Sequence, residues 1–378
     1  MKKIIVLLVF FLFPIGVFAE ELVPNSKSGL LIEASTGKIL YEKNKDDQLS
    51  VASMTKMVAQ IIIFKELRNK KINLDDIVTA SRNASGMGGS QIYLEEGEKM
   101  SVSDLLKGIS VASGNDATVA MAEYISGSEE KFVERMNKEV ERMGLKNTHF
   151  ENCTGLDSKN HYSSAYDMAM IAKELVTNYP EILNYSSIYE DYLRKGTSRK
   201  FWLVNTNKLI RQYEGTDGLK TGHTDDAGYC IATTTKRGDI RLIGIVLGEK
   251  DSKVRNKEAM ELMDYGFSNV KVKKLKNQGE IIKKISFKKG KPNYTIGVLD
   301  KALVTIEDSD SNSNYKLKEE YYDAKLPIKK GDILGKVNAL LDKKIVSSSN
   351  IISNSDVSMM SLFDYYISSL KNVISGVF

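Results

Sequence analysis

The sequence predicts a large domain of mixed helices and strands, then a small all-β domain and a C-terminal amphipathic helix. Three observations support this prediction. Before residue 268, apolar runs of helical length such as 57–64 occur among short strand-like segments. From about residue 270 the segments become short and alternating, which is typical of an all-β module. Residues 356–378 return to helical spacing of apolar side chains.

The N-terminus has the three parts of a signal peptide. Lys2 and Lys3 precede the apolar run 4–18, and small residues stand at Val17 and Ala19. The alternative is a membrane-spanning anchor, but a span needs about 20 apolar residues and this run is shorter. We expect removal of residues 1–19 and an extracytoplasmic protein whose first domain is 20–268.

The composition excludes several function classes. The chain has 378 residues, 27% of them charged, and a net charge of +5. This mild excess suits anionic envelope polymers weakly and does not indicate nucleic acid. The three histidines and two cysteines lack metal-ligand spacing, so neither a metal nor another cofactor is predicted. Cys153 and Cys230 could form a disulfide or remain buried thiols, and the sequence leaves both open.

Local patterns place the elements of the first domain. The runs 28–33 and 38–41 around a turn at 34–37 predict a β-hairpin. Ser101 or Ser103 is a suitable N-cap for a helix over 103–112. Loops are predicted at 84–90 and 152–164, and a turn at 236–239. The other predicted elements are strands at 74–79, 229–235 and 241–248 and helices at 117–125, 131–143, 166–176 and 251–267.

Ser53 and Lys56 stand directly before the apolar run 57–64. Residues three apart share a helix face, so Lys56 should lie beside the Ser53 hydroxyl. A serine hydroxyl needs a neighbouring base, and a lysine whose pKa is lowered can act as that base. The spacing alone is common in this chain. It recurs at Ser35/Lys38, Ser128/Lys131, Ser268/Lys271, Ser286/Lys289, Ser313/Lys316 and Ser368/Lys371. Position before a strongly apolar helix distinguishes Ser53.

Two further motifs follow in order. Ser113-Gly114-Asn115 falls at a break between two apolar helices, where a hydroxyl and an amide could enter a cleft. Lys220-Thr221-Gly222 precedes a strand, and its glycine would let a substrate approach the backbone closely. Each motif alone would be unremarkable. Together with Ser53 and Lys56 they form the motif set of penicillin-binding proteins and class A β-lactamases.

On these motifs the chain resembles the low-molecular-mass penicillin-binding proteins that are D-alanyl-D-alanine carboxypeptidases. The resemblance covers about residues 28–267 and includes Gly155-Leu156-Asp157, Tyr162-Ser163-Ser164-Ala165 and Asp217-Gly218-Leu219-Lys220-Thr221-Gly222-His223-Thr224. It implies an α+β, serine β-lactamase/transpeptidase-like catalytic domain, with an antiparallel sheet flanked by helices. It also implies a substrate, the peptidoglycan stem peptide ending in D-Ala-D-Ala, and inhibition by β-lactam antibiotics.

The resemblance further implies residue roles. Ser53 would attack the penultimate D-Ala carbonyl, Lys56 would take its proton, and Ser113 would relay a proton to the leaving D-Ala. Asn115 would hold the substrate amide and position Lys56. Backbone N–H groups of Ser53 and His223 would form an oxyanion hole. The substrate carboxylate would be bound by residues of the third motif and a later arginine, namely Lys220, Thr221, Gly222, His223 and Arg255.

Three alternatives share these motifs. A β-lactamase would need a deacylating base, and Glu181-Ile182-Leu183-Asn184 is one residue short of the class A Glu-x-x-Leu-Asn segment. A D,D-endopeptidase that cuts cross-links uses the same machinery. A non-catalytic β-lactam sensor would require a lost catalytic residue, and none is missing.

The remainder of the chain is predicted from its composition. Strands at 270–275, 281–287, 294–298, 302–306 and 315–321 define a β domain over 269–346. A Ser/Asn-rich linker is expected at 347–355. Apolar residues from Met359 to Val377 then predict an amphipathic helix, 356–378, lying in the membrane surface. The alternative is packing on a neighbouring domain, since Lys371 is the helix's only basic residue.

Overall fold

The computed structural model describes residues 21–308, 313–361 and 364. The predicted signal peptide, 1–19, lies outside these residues. The helices are α1 (Lys56–Arg68), α2 (Arg82–Ser85), α3 (Val102–Val111), α4 (Asn115–Ser126), α5 (Glu129–Arg142), α6 (Ala165–Asn178), α7 (Leu183–Ser186), α8 (Leu209–Gln212) and α9 (Ser252–Asn269). The strands of the first domain are β1 (Ser28–Glu33), β2 (Ile39–Lys43), β3 (Ile77–Thr79), β4 (Lys99–Ser101), β5 (Glu190–Leu193), β6 (Phe201–Val204), β7 (Thr216–Thr224), β8 (Gly228–Arg237) and β9 (Ile240–Glu249).

An antiparallel sheet of order β2-β1-β9-β8-β7 is the centre of this domain. Successive residues of β1 alternate between two cores, because side chains point to opposite faces of a strand. Leu30 and Ile32 enter a core shared with α1 and α6, whereas Leu31 packs with Leu262 and Met263 of α9. Helices therefore cover both faces of an antiparallel sheet, which confirms the predicted α+β class.

Most predicted elements of the first domain are present. The β1–β2 hairpin is confirmed, and Ser101 caps α3, its hydroxyl accepting from the N–H of Asp104. Residues 216–223 were expected only to lead into a strand, but they form β7 at the sheet edge. The β5–β6 hairpin was not predicted. Cys153 and Cys230 are buried free thiols.

Between residues 270 and 361, the described part of the second domain contains strands and no helices. Its strands are β10 (Val270–Lys276), β11 (Ile281–Ser286), β12 (Gly290–Lys291), β13 (Tyr294–Leu299), β14 (Leu303–Asp308), β15 (Lys316–Tyr321), β16 (Ile333–Leu341), β17 (Lys344–Ser353) and β18 (Ser358–Met359). The main sheet has the order β11-β13-β17-β16-β15, and β10 pairs with β14.

The predicted linker at 347–355 is wrong for most of its length, because β17 is an inner strand of the main sheet. Its serines are tolerated there because their hydroxyls find partners. Ser348 donates to the Asn338 side chain of β16, and Ser353 to the Ser355 carbonyl. Strand propensity depends strongly on such pairing, so composition alone misled the prediction.

The predicted C-terminal helix does not begin at 356. Ser358 and Met359 form β18, which pairs with Lys291 and Gly290 of β12. The predicted helix at 362–363 and 365–378 lies outside the described residues. In the part of the chain that the structure describes, no helix is both long and apolar enough to cross a membrane.

Candidate active site

Ser53 lies in a 3-10 turn, Ala52–Thr55, that leads directly into α1. Ala52, just before it, has a φ of 46°, a left-handed conformation that costs a non-glycine residue energy. The turn is held in the core by its neighbours, since Ala52, Met54 and Thr55 are buried. Ser53 alone is partly exposed, so the turn presents its hydroxyl to solvent.

Lys56, the first residue of α1, is fully buried beside this hydroxyl. Its Nζ lies 2.8 Å from Ser53 Oγ and 2.6 Å from the carbonyl oxygen of Thr154. Burial lowers the pKa of Lys56 to about 7, because a charged ammonium loses its hydration there. No carboxylate lies within ion-pair distance of Lys56 among the residues described. A substantial neutral fraction near pH 7 can therefore accept the serine proton.

Two glycines let neighbouring segments approach the turn of Ser53. Gly155, with a φ of 84°, lies so close that a Cβ would stand 1.9 Å from the Ala52 carbonyl oxygen. A Cβ on Gly222 of β7 would stand 2.6 Å from the carbonyl oxygen of Val51. The sequence predicted that Gly222 makes room for a substrate. In the structure Gly222 also makes room for the 3-10 turn Ala52–Thr55, which we call the nucleophile turn.

Ser113 and Lys220 form a second hydroxyl–amine pair. Ser113 joins α3 to α4 with a φ of 62°, and Lys220 of β7 is buried. Lys220 Nζ donates to Ser113 Oγ at 2.8 Å and to the Thr221 carbonyl at 2.9 Å. Burial, and next the charges of Lys56 and Arg255, lower the pKa of Lys220 well below its ordinary value. The Ser113 hydroxyl is thus held by a buried amine at the edge of the cleft.

Asn115 is the first residue of α4. The resemblance implied that it positions Lys56, but among the described contacts its side chain makes no hydrogen bond to Lys56. Its Nδ2 donates to the Gly88 carbonyl at 2.7 Å, and its buried Oδ1 has no partner among the described residues. The adjoining Asp116, which the site prediction omitted, accepts from the N–H groups of Ile92 and Leu94. It thereby fixes the loop carrying Gly88 and Ser90 against the start of α4.

Ser53 and Ser113 open into a cleft of ≈ 360 Å³ that Thr221, His223 and Arg255 also line, whereas Lys56, Asn115 and Lys220 are not among its lining residues. Thr221 donates to the Thr206 hydroxyl at 2.8 Å, and the His223 ring stacks on Tyr229 at 4.0 Å between centroids. The sequence analysis missed several residues that line the cleft. They belong to segments that meet the three motifs only in the folded protein, and no local sequence pattern identifies them. They are Ser90, Thr206, Lys208, Tyr229, Ser252 and Asn256.

Arg255 supplies positive charge to this cleft from α9. Its guanidinium donates to the Asn256 side chain and to the Cys230 carbonyl, and forms no ion pair among the described residues. Burial lowers its pKa to about 10, so it remains a cation at neutral pH. With the Thr221 hydroxyl, Arg255 makes one end of the cleft suited to a carboxylate.

Residues 18–251 match the D-alanyl-D-alanine carboxypeptidase family, and residues 271–359 match the C-terminal domain of penicillin-binding protein 5. The second match includes the whole stretch 347–355 that was predicted as a linker. The chain is 44% identical to D-alanyl-D-alanine carboxypeptidase DacF of Bacillus subtilis (strain 168), over 90% of this chain and 88% of that protein.

Solved structures are similar as well. Penicillin-binding protein 5 from Haemophilus influenzae has a TM-score of 0.71 at 34% identity, over 91% of this chain and all of that one. Penicillin-binding protein D2 from Listeria monocytogenes, in its ampicillin-bound form, has a TM-score of 0.60 at 29% identity, over 66% of this chain and 100% of that one. The chain therefore belongs to the D-alanyl-D-alanine carboxypeptidase family of serine peptidases.

Proposed function

We propose that the chain removes the terminal D-alanine from peptidoglycan stem pentapeptides through an acyl-enzyme on Ser53. One observation carries this proposal. Ser53 Oγ lies 2.8 Å from a buried lysine whose pKa is lowered to about 7. That pairing supplies both a nucleophile and a base at neutral pH, which acyl transfer to serine requires.

The steps balance with residues of the cleft. Neutral Lys56 takes the Ser53 proton as Oγ bonds to the penultimate D-Ala carbonyl carbon. The oxyanion is held by the backbone N–H groups of Ser53 and His223, a contribution of about 3 kcal/mol per donor. The C–N bond then breaks as Ser113 gives its proton to the leaving amine and takes in return the proton that Lys56 had gained, so Ser113 and Lys56 both regain their starting forms. Water then attacks the ester and gives up a proton to neutral Lys56. The bond between Ser53 Oγ and the acyl carbon breaks, and Lys56 returns that proton to Ser53, which restores the hydroxyl and releases the shortened peptide.

The substrate is oriented by charge. Its C-terminal carboxylate lies against Arg255, Lys220 and Thr221, at the end of the cleft that lacks acidic partners. His223 borders the same region. Asn115 receives the amide of the substrate, for which the unpartnered Oδ1 provides an acceptor. A β-lactam, whose carboxylate occupies the same position, acylates Ser53 and leaves slowly.

The β-lactamase alternative loses its proposed base. Glu181 is exposed, lies within 3.8 Å of Arg68, and does not line the cleft. The segment 181–184 therefore offers no carboxylate to activate a deacylating water on Ser53.

The test is release of free D-alanine from a peptide ending in Lys-D-Ala-D-Ala by residues 20–361. We expect release, together with unchanged cross-linked dimers in muropeptide digests. A fall in cross-linked dimers without D-alanine release would instead identify an endopeptidase. A folded, penicillin-acylated protein that does neither would be a sensor, and the proposal would be wrong.

We also propose that the mature chain is extracytoplasmic and held on the outer face of the cell membrane by its last residues. The signal-peptide pattern of 1–19 supports export. The apolar residues Phe363, Ile367, Leu370, Ile374 and Val377 recur at helical spacing, which supports an amphipathic membrane contact.

Deletion of 362–378 is expected to release the protein from membranes without lowering D-alanine release. The deletion begins after β18 because that strand belongs to the folded β domain. Membrane flotation of the full and shortened chains measures the effect. The double substitution Ile367→Asp/Ile374→Asp should release the full-length chain as the deletion does. Equal flotation of all three proteins would contradict the membrane proposal.

A further inference from the structure

His161 is a buried histidine that connects the two segments holding Lys56. Only 4% of it is exposed. One ring nitrogen, Nε2, lies 2.7 Å from the hydroxyl of Thr55, which stands between Ser53 and Lys56 in the nucleophile turn. The other, Nδ1, lies 3.1 Å from the backbone nitrogen of Glu151. The ring therefore spans from the nucleophile turn to the loop that follows Glu151.

These two contacts determine the tautomer of His161. A backbone N–H can only donate, so Nδ1 must accept from Glu151 and carry no proton. The proton of the neutral ring is then on Nε2, which donates to Thr55 Oγ1. Burial lowers the pKa of His161 to about 4. The charges of Glu151 and Asp157 oppose this shift and those of His149 and Lys56 add to it, all by smaller amounts. The ring is neutral wherever Lys56 can act as a base.

The loop tied by His161 supplies a direct partner of Lys56. Asn152, next to Glu151, accepts from the N–H groups of Thr154, Gly155 and Leu156 and so shapes this loop. The Thr154 carbonyl accepts from Lys56 Nζ at 2.6 Å. One imidazole thus fixes the turn that carries the nucleophile and base relative to the loop that holds the base.

We propose that His161 is a positioning residue for acylation, which sets Lys56 between Ser53 and the Thr154 carbonyl. It touches neither substrate nor Ser53. Its loss should displace the base by a fraction of an ångström, and misplacement of that order slows a reaction strongly. The inference rests on the proposed role of Ser53, but acylation by benzylpenicillin tests it even if no D-alanine is released.

The test compares His161→Leu with His161→Gln. Leucine can make neither hydrogen bond. Glutamine carries an acceptor oxygen and a donor nitrogen that can replace Nδ1 and Nε2. We expect His161→Leu to lower the limiting acylation rate and kcat by about 10- to 100-fold, with KM changed less than about threefold. His161→Gln should restore most of that rate. His149→Leu, an exposed histidine of the same loop region, should have no effect.

A double-mutant cycle with Thr55→Val separates positioning from general destabilisation. Two residues that act through one hydrogen bond give non-additive effects on the rate. The double variant should therefore be no slower than the slower of the two single variants. Thermal unfolding of each variant is recorded beside its rate. Additive losses, a glutamine variant as slow as the leucine variant, or a kcat unaffected by His161→Leu would each overturn the proposal. If His161→Leu does not fold, Thr55→Val and His161→Gln decide the question: a fast Thr55→Val or a slow His161→Gln overturns it.

Discussion

Replacement of Ser53 by alanine is expected to abolish D-alanine release, with kcat falling by a factor on the order of 10⁴ or more. The oxygen of this hydroxyl is the atom proposed to form the acyl-enzyme, and among the described residues no other hydroxyl is hydrogen-bonded to Lys56 Nζ. Covalent labelling by benzylpenicillin should disappear at the same time. Intact-protein mass spectrometry and the D-alanine assay measure both effects. The fold should survive, because Ser53 is partly exposed and alanine fits the turn.

A matched control is available in the β domain. Ser286 and Lys289 have the same spacing as Ser53 and Lys56, but both are exposed and Ser286 lies at the end of β11. Ser286→Ala should leave labelling and turnover unchanged. Persistent penicillin labelling of Ser53→Ala would show that another residue is the nucleophile.

Replacement of Lys56 by methionine is expected to lower kcat by about 10²- to 10⁴-fold, the usual contribution of a general base. Methionine fills much of the same buried volume, so the loss should come from chemistry rather than unfolding. Lys289→Met removes an exposed lysine at the matching position and should have no effect. Stopped-flow acylation with a chromogenic β-lactam measures the rates.

The pH dependence follows from the same lysine. Because burial lowers the pKa of Lys56 to about 7, its basic form dominates above that pH and is lost below it. In the unaltered protein kcat/KM should rise about tenfold per unit at acidic pH and level off above about pH 7. Lys56→Met should lose this rising limb. If kcat/KM of Lys56→Met still rose with pH as in the unaltered protein, the rise would have to come from another group, such as Lys220.

Local patterns were sufficient for elements whose stability is local. The β1–β2 hairpin and the apolar helix α1 were predicted because turn residues and periodicity mark them directly. Ser53 and Lys56 were predicted as neighbours because helical geometry fixes residues three apart. The Ser-rich strand β17 was not, since its serines are satisfied by partners on β16 and beyond.

The sequence by itself determined the three motifs and their order, because each motif is a short run of neighbouring residues, and through the resemblance that they carry it determined the α+β class. Only the tertiary structure decided that Lys56 is buried enough to lose its proton near pH 7. It alone turned Gly222 towards the nucleophile and joined His161 to Thr55. Burial and close contact of this kind depend on segments that are far apart in the sequence. Local sequence patterns do not show which of those segments will meet in the fold.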